Sequence, residues 1–172
     1  YIDYNKKLEA DDKTFEKLMF IYSTAIKELQ TKIEIMKDEF KIFYNYDLIE
    51  HINTRIKTPE SIKKKMQKRN LELNYKEMIE NINDIAGVRI ICPLKKDIFS
   101  IRNLIEELPE INVLTEKDYV THPKESGYSS YHIIVEIPVT LSQNIVYVKV
   151  EIQIRTIAMD FWASLEHKMK YK

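Results

Sequence analysis

The sequence predicts an α/β domain in which one mixed sheet of about five strands is flanked by helices, behind an N-terminal helical element. Three observations predict it. Apolar residues recur at helical spacing over residues 12–43. Residues 130–139 and 145–155 alternate between apolar and polar with a period of two. Between these regions, strand-like and helix-like stretches take turns along the chain. At 172 residues the chain can bury one core. The expected organisation is a helical element over 1–46 and a compact domain over 47–172, joined as one unit.

Taken in order, Phe15, Leu18, Met19, Tyr22, Ile26, Leu29, Ile33, Met36, Phe40 and Phe43 form one apolar stripe, read as one long or two shorter amphipathic helices. Residues 48–57 read as a strand. Thr58-Pro59 then opens a helix with Ser61 in its first turn, which continues through Ile62, Met66 and a basic run to Arg69. Residues 85–92 are apolar and β-branched, the pattern of a buried strand. Residues 95–108 carry Ile98, Ile101, Leu104, Ile105 and Leu108 at helical spacing, ended by Pro109. A strand is expected around 111–120, a loop over 122–127, the two alternating strands after it, and a last helix from about Ile157.

Composition narrows the function classes. Apolar residues make up 44% and charged residues 31%, which suits a globular chain and argues against disorder. Lys plus Arg and Asp plus Glu balance at 27 each, so no bulk attraction to nucleic acid or membrane is expected. No apolar run reaches membrane-spanning length and no signal-peptide pattern occurs, which favours the cytoplasm. Cys92 is the single cysteine, so neither a disulfide framework nor a zinc motif is available. The chain starts at Tyr1 rather than Met and stops at Tyr171-Lys172 without a helix-stop signal, which reads as a segment of a longer protein. With only Gly87 and Gly127, there is no glycine-rich loop to bind phosphates through backbone N–H groups. Any nucleotide phosphates must be held by side chains.

Over residues 146–155, Val146, Val148, Val150, Ile152 and Ile154 point one way, and Tyr147, Lys149, Glu151, Gln153 and Arg155 the other. An exposed antiparallel face is also polar, so alternation alone leaves both readings open. Glutamate and lysine are disfavoured in strands, however, and the next helix brings Asp160, Glu166 and His167 towards the same end of the sheet. Asp84 stands at the entry to the other buried strand, a position where a plain turn residue is also ordinary. If the two strands are neighbours, Asp84 and Glu151 form a hard-oxygen pair suited to Mg²⁺ with a nucleoside triphosphate.

Five segments in order resemble the synthetase domain of RelA/SpoT homologues, in its short single-domain branch. They are Arg55–Lys65, Asp84–Arg89, Lys117–Val120, Pro123–His132 and Glu151–Thr156, the last running on to His167. The resemblance spans residues 48–172 and implies a nucleotidyltransferase-like sheet. It also implies transfer of the β,γ-pyrophosphoryl group of ATP to the ribose 3′-hydroxyl of GTP, GDP or GMP, with AMP released. On this resemblance Arg55 and Arg89 sandwich adenine, and Lys57, Ser61 and Lys65 lie near the ATP phosphates. Asp84 and Glu151 hold Mg²⁺, and Glu151 also orients the attacking hydroxyl and takes its proton. Tyr128 stacks on guanine, Asp160 reads its N1–H and 2-amino group, and Lys117, Lys124, His132 and Gln153 contact the rest of the acceptor. Trp162 is expected in the core. Relatives are commonly homotetramers; some short relatives pyrophosphorylate tRNA instead, and a catalytically inactive nucleotide-binding regulator is a third possibility.

The chain departs from the family pattern at three positions. Ser126 stands for asparagine, Ser129 for arginine and Tyr131 for leucine. A missing cation and amide near the acceptor imply a preference for fewer 5′-phosphates. No His-Asp pair occurs, so alarmone hydrolysis by this segment is not expected.

Overall fold

The computed structural model describes residues 2–9 and 12–170; the chain ends behind the longer-protein expectation, Tyr1 and Tyr171-Lys172, lie outside them. The elements are α1 (Lys13–Tyr44), β1 (His51–Ile56), α2 (Pro59–Lys68), α3 (Tyr75–Asn81), β2 (Ala86–Cys92), α4 (Lys95–Glu107), β3 (Asn112–Asp118), β4 (Tyr131–Thr140), β5 (Ile145–Thr156) and α5 (Ile157–Lys170). The five strands form one sheet in the order β1-β2-β5-β4-β3. β2 and β5 run parallel at its centre, and the other neighbours are antiparallel.

The apolar alternation gives the sheet a dry face. Val88 and Ile90 of β2, Ile133 and Val135 of β4, and Ile152 and Ile154 of β5 are buried in one cluster with Ala25, Leu29 and Ile33 of α1 and Ile98, Ile101 and Ile105 of α4. Phe99 of α4 meets Tyr131 of β4 edge-on at 5.9 Å between ring centroids. α1 is therefore held by its packed stripe rather than by helix propensity, at roughly 1.5–3 kcal/mol for each fully buried Leu or Ile. Asp12 caps it, and Asn45 ends it in the left-handed conformation. Asp97 ties the ends of α1 and α4 together, accepting from Leu94 N–H at 3.0 Å and from Tyr46 O–H at 2.6 Å.

Several expectations need adjusting. The stripe over 12–43 is one continuous helix, and its last member, Phe43, is 75% exposed. The first strand is shorter than 48–57, because Leu48 and Ile49 are both buried and so do not alternate. β3 stops at Asp118, whose carboxylate accepts from Val120 N–H, Thr121 N–H and the Thr121 hydroxyl and turns the chain away. The helix α3 has no counterpart in the expected elements. Its signal was Asn74 three residues before Glu77, whose N–H the Asn74 side chain caps at 2.8 Å, but two turns are too few for periodicity to register. Trp162 is half-buried and packs on Gly127, outside the hydrophobic core.

Candidate active site

Strand register sorts the polar face into two rungs. One runs Lys117, His132, Gln153, Arg89, Asn53 across β3, β4, β5, β2 and β1. The other runs Thr115, Ile134, Glu151, Gly87, Arg55 across the same strands. Partners in register share a face, so Arg55, Arg89, Glu151, Gln153, His132 and Lys117 all project to the side opposite α1 and α4. Asn53, Thr54, Arg55, Gly87, Val88, Arg89, Glu151 and Gln153 line a cleft of about 280 Å³. At Gly87 the cleft is lined by backbone alone. A Cβ there would touch Arg55 Cγ and Nε at 3.4 Å, so the glycine opens room between Arg55 and Glu151.

At one end of the cleft stands a group of cations around one carboxylate. Asp84 Oδ1 meets Lys65 Nζ at 2.9 Å, and Asp84 Oδ2 meets Lys57 Nζ at 3.1 Å and Arg55 Nη2 at 3.5 Å. Each arrives by local structure. Lys57 leaves β1 with its N–H bonded to Ile85 O at 2.8 Å, beside Asp84. Thr58 and Pro59 start α2, with Thr58 Oγ1 accepting from Ser61 N–H, and buried Ile62 and Met66 then turn Lys65 towards Asp84. Ser61 lies one helical turn before Lys65 on the same face. Burial pulls the Asp84 pKa up, but the ammonium groups of Lys65 and Lys57 outweigh it and hold the carboxyl below its usual range. Asp84 thus stands just before β2, whose Gly87 is the register partner of Glu151, and Arg55 reaches from the cleft to Asp84. Carboxylate oxygens beside side-chain cations are the donor chemistry that suits Mg²⁺ with a triphosphate. Among the described residues no three His, Cys, Asp or Glu side chains gather into a closed metal cage.

Glu151 is itself held: Gln153 Nε2 donates to Glu151 Oε1 at 2.8 Å. That bond leaves Gln153 Oε1 buried without a partner, and Arg89 Nε on the neighbouring strand is in the same condition. Buried polar atoms left open in a cleft are poised for a ligand's donors and acceptors.

The other end of the face is aromatic and cationic. The turn 124–128 is closed by Gly127 N–H to Lys124 O at 2.8 Å and Lys124 N–H to Tyr128 O at 3.0 Å, with Gly127 at φ 91°. It brings Tyr128 against Tyr119 and His132, with ring centroids 6.2 and 5.8 Å apart, and sets Lys124 Nζ 5.1 Å from the Tyr128 ring centroid. Tyr128 Oη lies 2.9 Å from His132 Nε2. Burial, then the nearby charges of Arg155, Lys124, Lys117 and Arg89, push the His132 pKa down to about 4. Asp160, in the first turn of α5, accepts at Oδ1 from Arg155 Nη1 at 3.2 Å and from Arg89 Nη1 at 3.4 Å. Arg155, in the sequence one of five polar strand residues, is 5% exposed and touches Ser130, Tyr128 and Asp160. Its missed signal was an arginine at the end of a strand, directly before a helix carrying an aspartate. Tyr131 lies on the dry face, where its hydroxyl donates to Glu116 at 3.0 Å, so that departure from the family pattern falls in the core and away from this site.

Known proteins match this arrangement along most of the chain. The family described as the region found in RelA / SpoT proteins matches residues 54–172. GTP pyrophosphokinase YwaC of Bacillus subtilis is 46% identical over 154 residues, covering 90% of this chain and 73% of that protein. GTP pyrophosphokinase YjbM of the same organism is 36% identical, covering 94% and 75%. The crystal structure of Bacillus subtilis small alarmone synthetase 1 bound to its product pppGpp superposes with a TM-score of 0.85 at 35% identity, over 93% of this chain and 81% of that one. Sheet, site-bearing strands and sequence agree: the chain belongs to the RelA/SpoT family, among its small alarmone synthetases.

Proposed function

We propose that this chain is a GTP pyrophosphokinase that moves the β,γ-pyrophosphoryl group of ATP to the ribose 3′-oxygen of a guanosine nucleotide. The carrying observation is that one sheet face presents Glu151 between two cation-rich ends, one around Asp84 and one around Tyr128 and His132. ATP lies at the Asp84 end. Arg55 and Arg89 stack on adenine with their planar guanidinium groups, and Lys57, Lys65 and Ser61 hold the phosphates. The acceptor lies at the other end, with guanine on Tyr128 and against Asp160. Lys117, Lys124 and His132 face its phosphates, and Gln153 Oε1 is open to its ribose.

The 3′-oxygen attacks the β-phosphorus of ATP, its proton passes to Glu151, and the bond from the β-phosphorus to the α-phosphate oxygen breaks to release AMP. Gln153 keeps Glu151 aimed at that proton. Asp84 and Glu151 would hold Mg²⁺, which would supply neutralisation of the phosphate charge when bound. The cations around Asp84 position the triphosphate, so the chemistry rests on alignment and charge. With Ser129 in place of the family arginine, acceptors with fewer 5′-phosphates are preferred. The protein works in the cytoplasm as a homotetramer; no helix of the described residues is long and apolar enough to cross a membrane.

The test is separation of nucleotides after mixing the protein with Mg²⁺, ATP and GTP, GDP, GMP or tRNA in turn. AMP together with a 3′-pyrophosphorylated guanosine nucleotide is the expected result, faster with GDP or GMP than with GTP. Label appearing only in tRNA would overturn the acceptor, and no AMP with any acceptor would overturn the activity.

A further inference from the structure

We infer that Arg155 is the positioning residue of the guanine site, fixing the stacking ring, the base-reading carboxylate and the tautomer of His132 through one side chain. The inference rests on the roles proposed above for Tyr128 and Asp160.

A buried guanidinium is tolerated only when its donors are taken up. Arg155 is 5% exposed, and its three nitrogens each have a different partner. Nε donates to Ser130 Oγ at 3.3 Å, Nη1 to Asp160 Oδ1 at 3.2 Å and Nη2 to Tyr128 Oη at 2.6 Å. The group is planar and rigid, so the hydroxyl of the ring and the oxygen of the carboxylate are held at a fixed spacing. Ser130 is itself fully buried and anchors the fork to β4. Arg89 and Arg155 bind the same oxygen of Asp160, and Oδ2 has no protein donor among the described residues. The carboxylate is thus held by one oxygen and offers the other.

One hydrogen-bond direction is fixed because arginine always donates, and it makes the other the favoured one. Tyr128 Oη is therefore an acceptor from Arg155, and its own proton is free to go to His132 Nε2, 2.9 Å away. Nε2 then carries no proton, and the neutral ring carries it on Nδ1. Lys117, Lys124, Arg89 and Arg155 surround the imidazole and oppose a second proton, in keeping with this chain of donors. His132 therefore enters the acceptor site as an Nδ1–H donor, set from two residues away. Lysine cannot reproduce the arrangement, since a single ammonium does not span Ser130, Asp160 and Tyr128 as a planar fork.

Two measurements test this. In turnover assays, Arg155→Lys is expected to raise the KM for GDP roughly 10-fold or more while leaving the KM for ATP nearly unchanged. It should also shrink the preference for GDP over the inosine analogue that lacks the 2-amino group. In protein carrying ¹⁵N-labelled histidine, NMR should show His132 as the Nδ1–H tautomer, and Arg155→Lys and Tyr128→Phe should each convert it to a mixture. An unchanged GDP/inosine ratio with an unchanged tautomer would overturn the inference. So would equal rises in both KM values together with a lowered Tm, the mark of a merely structural arginine. Should Arg155→Lys fail to fold, Tyr128→Phe decides alone: a His132 spectrum like that of the wild type sinks the proposal. A wild type that releases no AMP counts against the enzymatic reading, while the tautomer measurement, which needs no turnover, still decides the wiring.

Discussion

Glu151 and His132 differ in how the protein has tuned them. Glu151 has a neutral amide neighbour that holds it in place, whereas His132 sits among four cations. Glu151→Gln should keep the shape and the bond network but remove the proton acceptor. ATP binding, measured by calorimetry, should persist while kcat falls by roughly 10²–10⁴; turnover near the wild-type rate would remove Glu151 from the reaction. For His132 the folded pKa of about 4 lies below the ordinary 6.5, so the unfolded chain binds the extra proton first as pH drops. Its contribution to stability is complete above pH 6.5 and is lost as pH falls through the window down to about 4, by up to about 3 kcal/mol. Denaturant titrations of wild type and His132→Gln should converge or cross over this window; parallel curves would refute the buried neutral imidazole. At this scale the sequence motifs marked Asp84, Tyr128 and Asp160, and the fold sets each of them beside cations. Arg155 was not singled out, because its importance lies in burial and in partners 25 and 27 residues away, which no local spacing encodes.

Among the elements, the 124–128 turn has the narrowest tolerance. Gly127 has φ 91°, and a Cβ there would stand 3.1 Å from Trp162 Cζ2, so Gly127→Ala combines backbone strain of about 1–3 kcal/mol with a clash against a ring. The turn carries Lys124 and Tyr128 but no core residue, so the KM for the acceptor should rise while the KM for ATP changes little, and Tm should fall by several degrees from the strain alone. Steady-state kinetics against each substrate checks this, and a parallel rise in both KM values would contradict it. Element identity was readable wherever periodicity had length to act, as in α1, α4, β4 and β5. It failed at α3, where a seven-residue helix gives too little pattern. It erred at strand ends fixed by side chains such as Asp118, whose turn-making depends on a hydroxyl three residues on.

For the whole molecule, charge is balanced in number yet uneven in position: 27 cations and 27 anions, with Arg55, Lys57, Lys65, Arg89, Lys117, Lys124 and Arg155 all gathered around one sheet face. Occupancy of that face should feed directly into global stability. ATP with Mg²⁺ at about 100 times its Kd should stabilise the fold by about 2.7 kcal/mol. Thermal scans should show that EDTA removes most of this gain, and that Asp84→Asn abolishes the part due to Mg²⁺ while retaining some response to ATP through the lysines. A metal effect of full size in Asp84→Asn would remove Asp84 from the ligand set. The order of strands, and hence the meeting of β2 with β5, was beyond sequence reasoning, since neither strand records its neighbour.

Glu151, Gln153 and Arg155 follow one another at alternate positions of a single strand, so the proposed proton acceptor, ribose contact and base-site anchor stand about 7 Å apart, step by step. β5 therefore works as a ruler. The interval between reaction and recognition is graduated in peptide units, with no hinge along it to drift. Loops of such a protein can lengthen or shorten over generations without consequence for that interval. Losing one residue between 151 and 155 would instead turn every later mark on the ruler to the oily side.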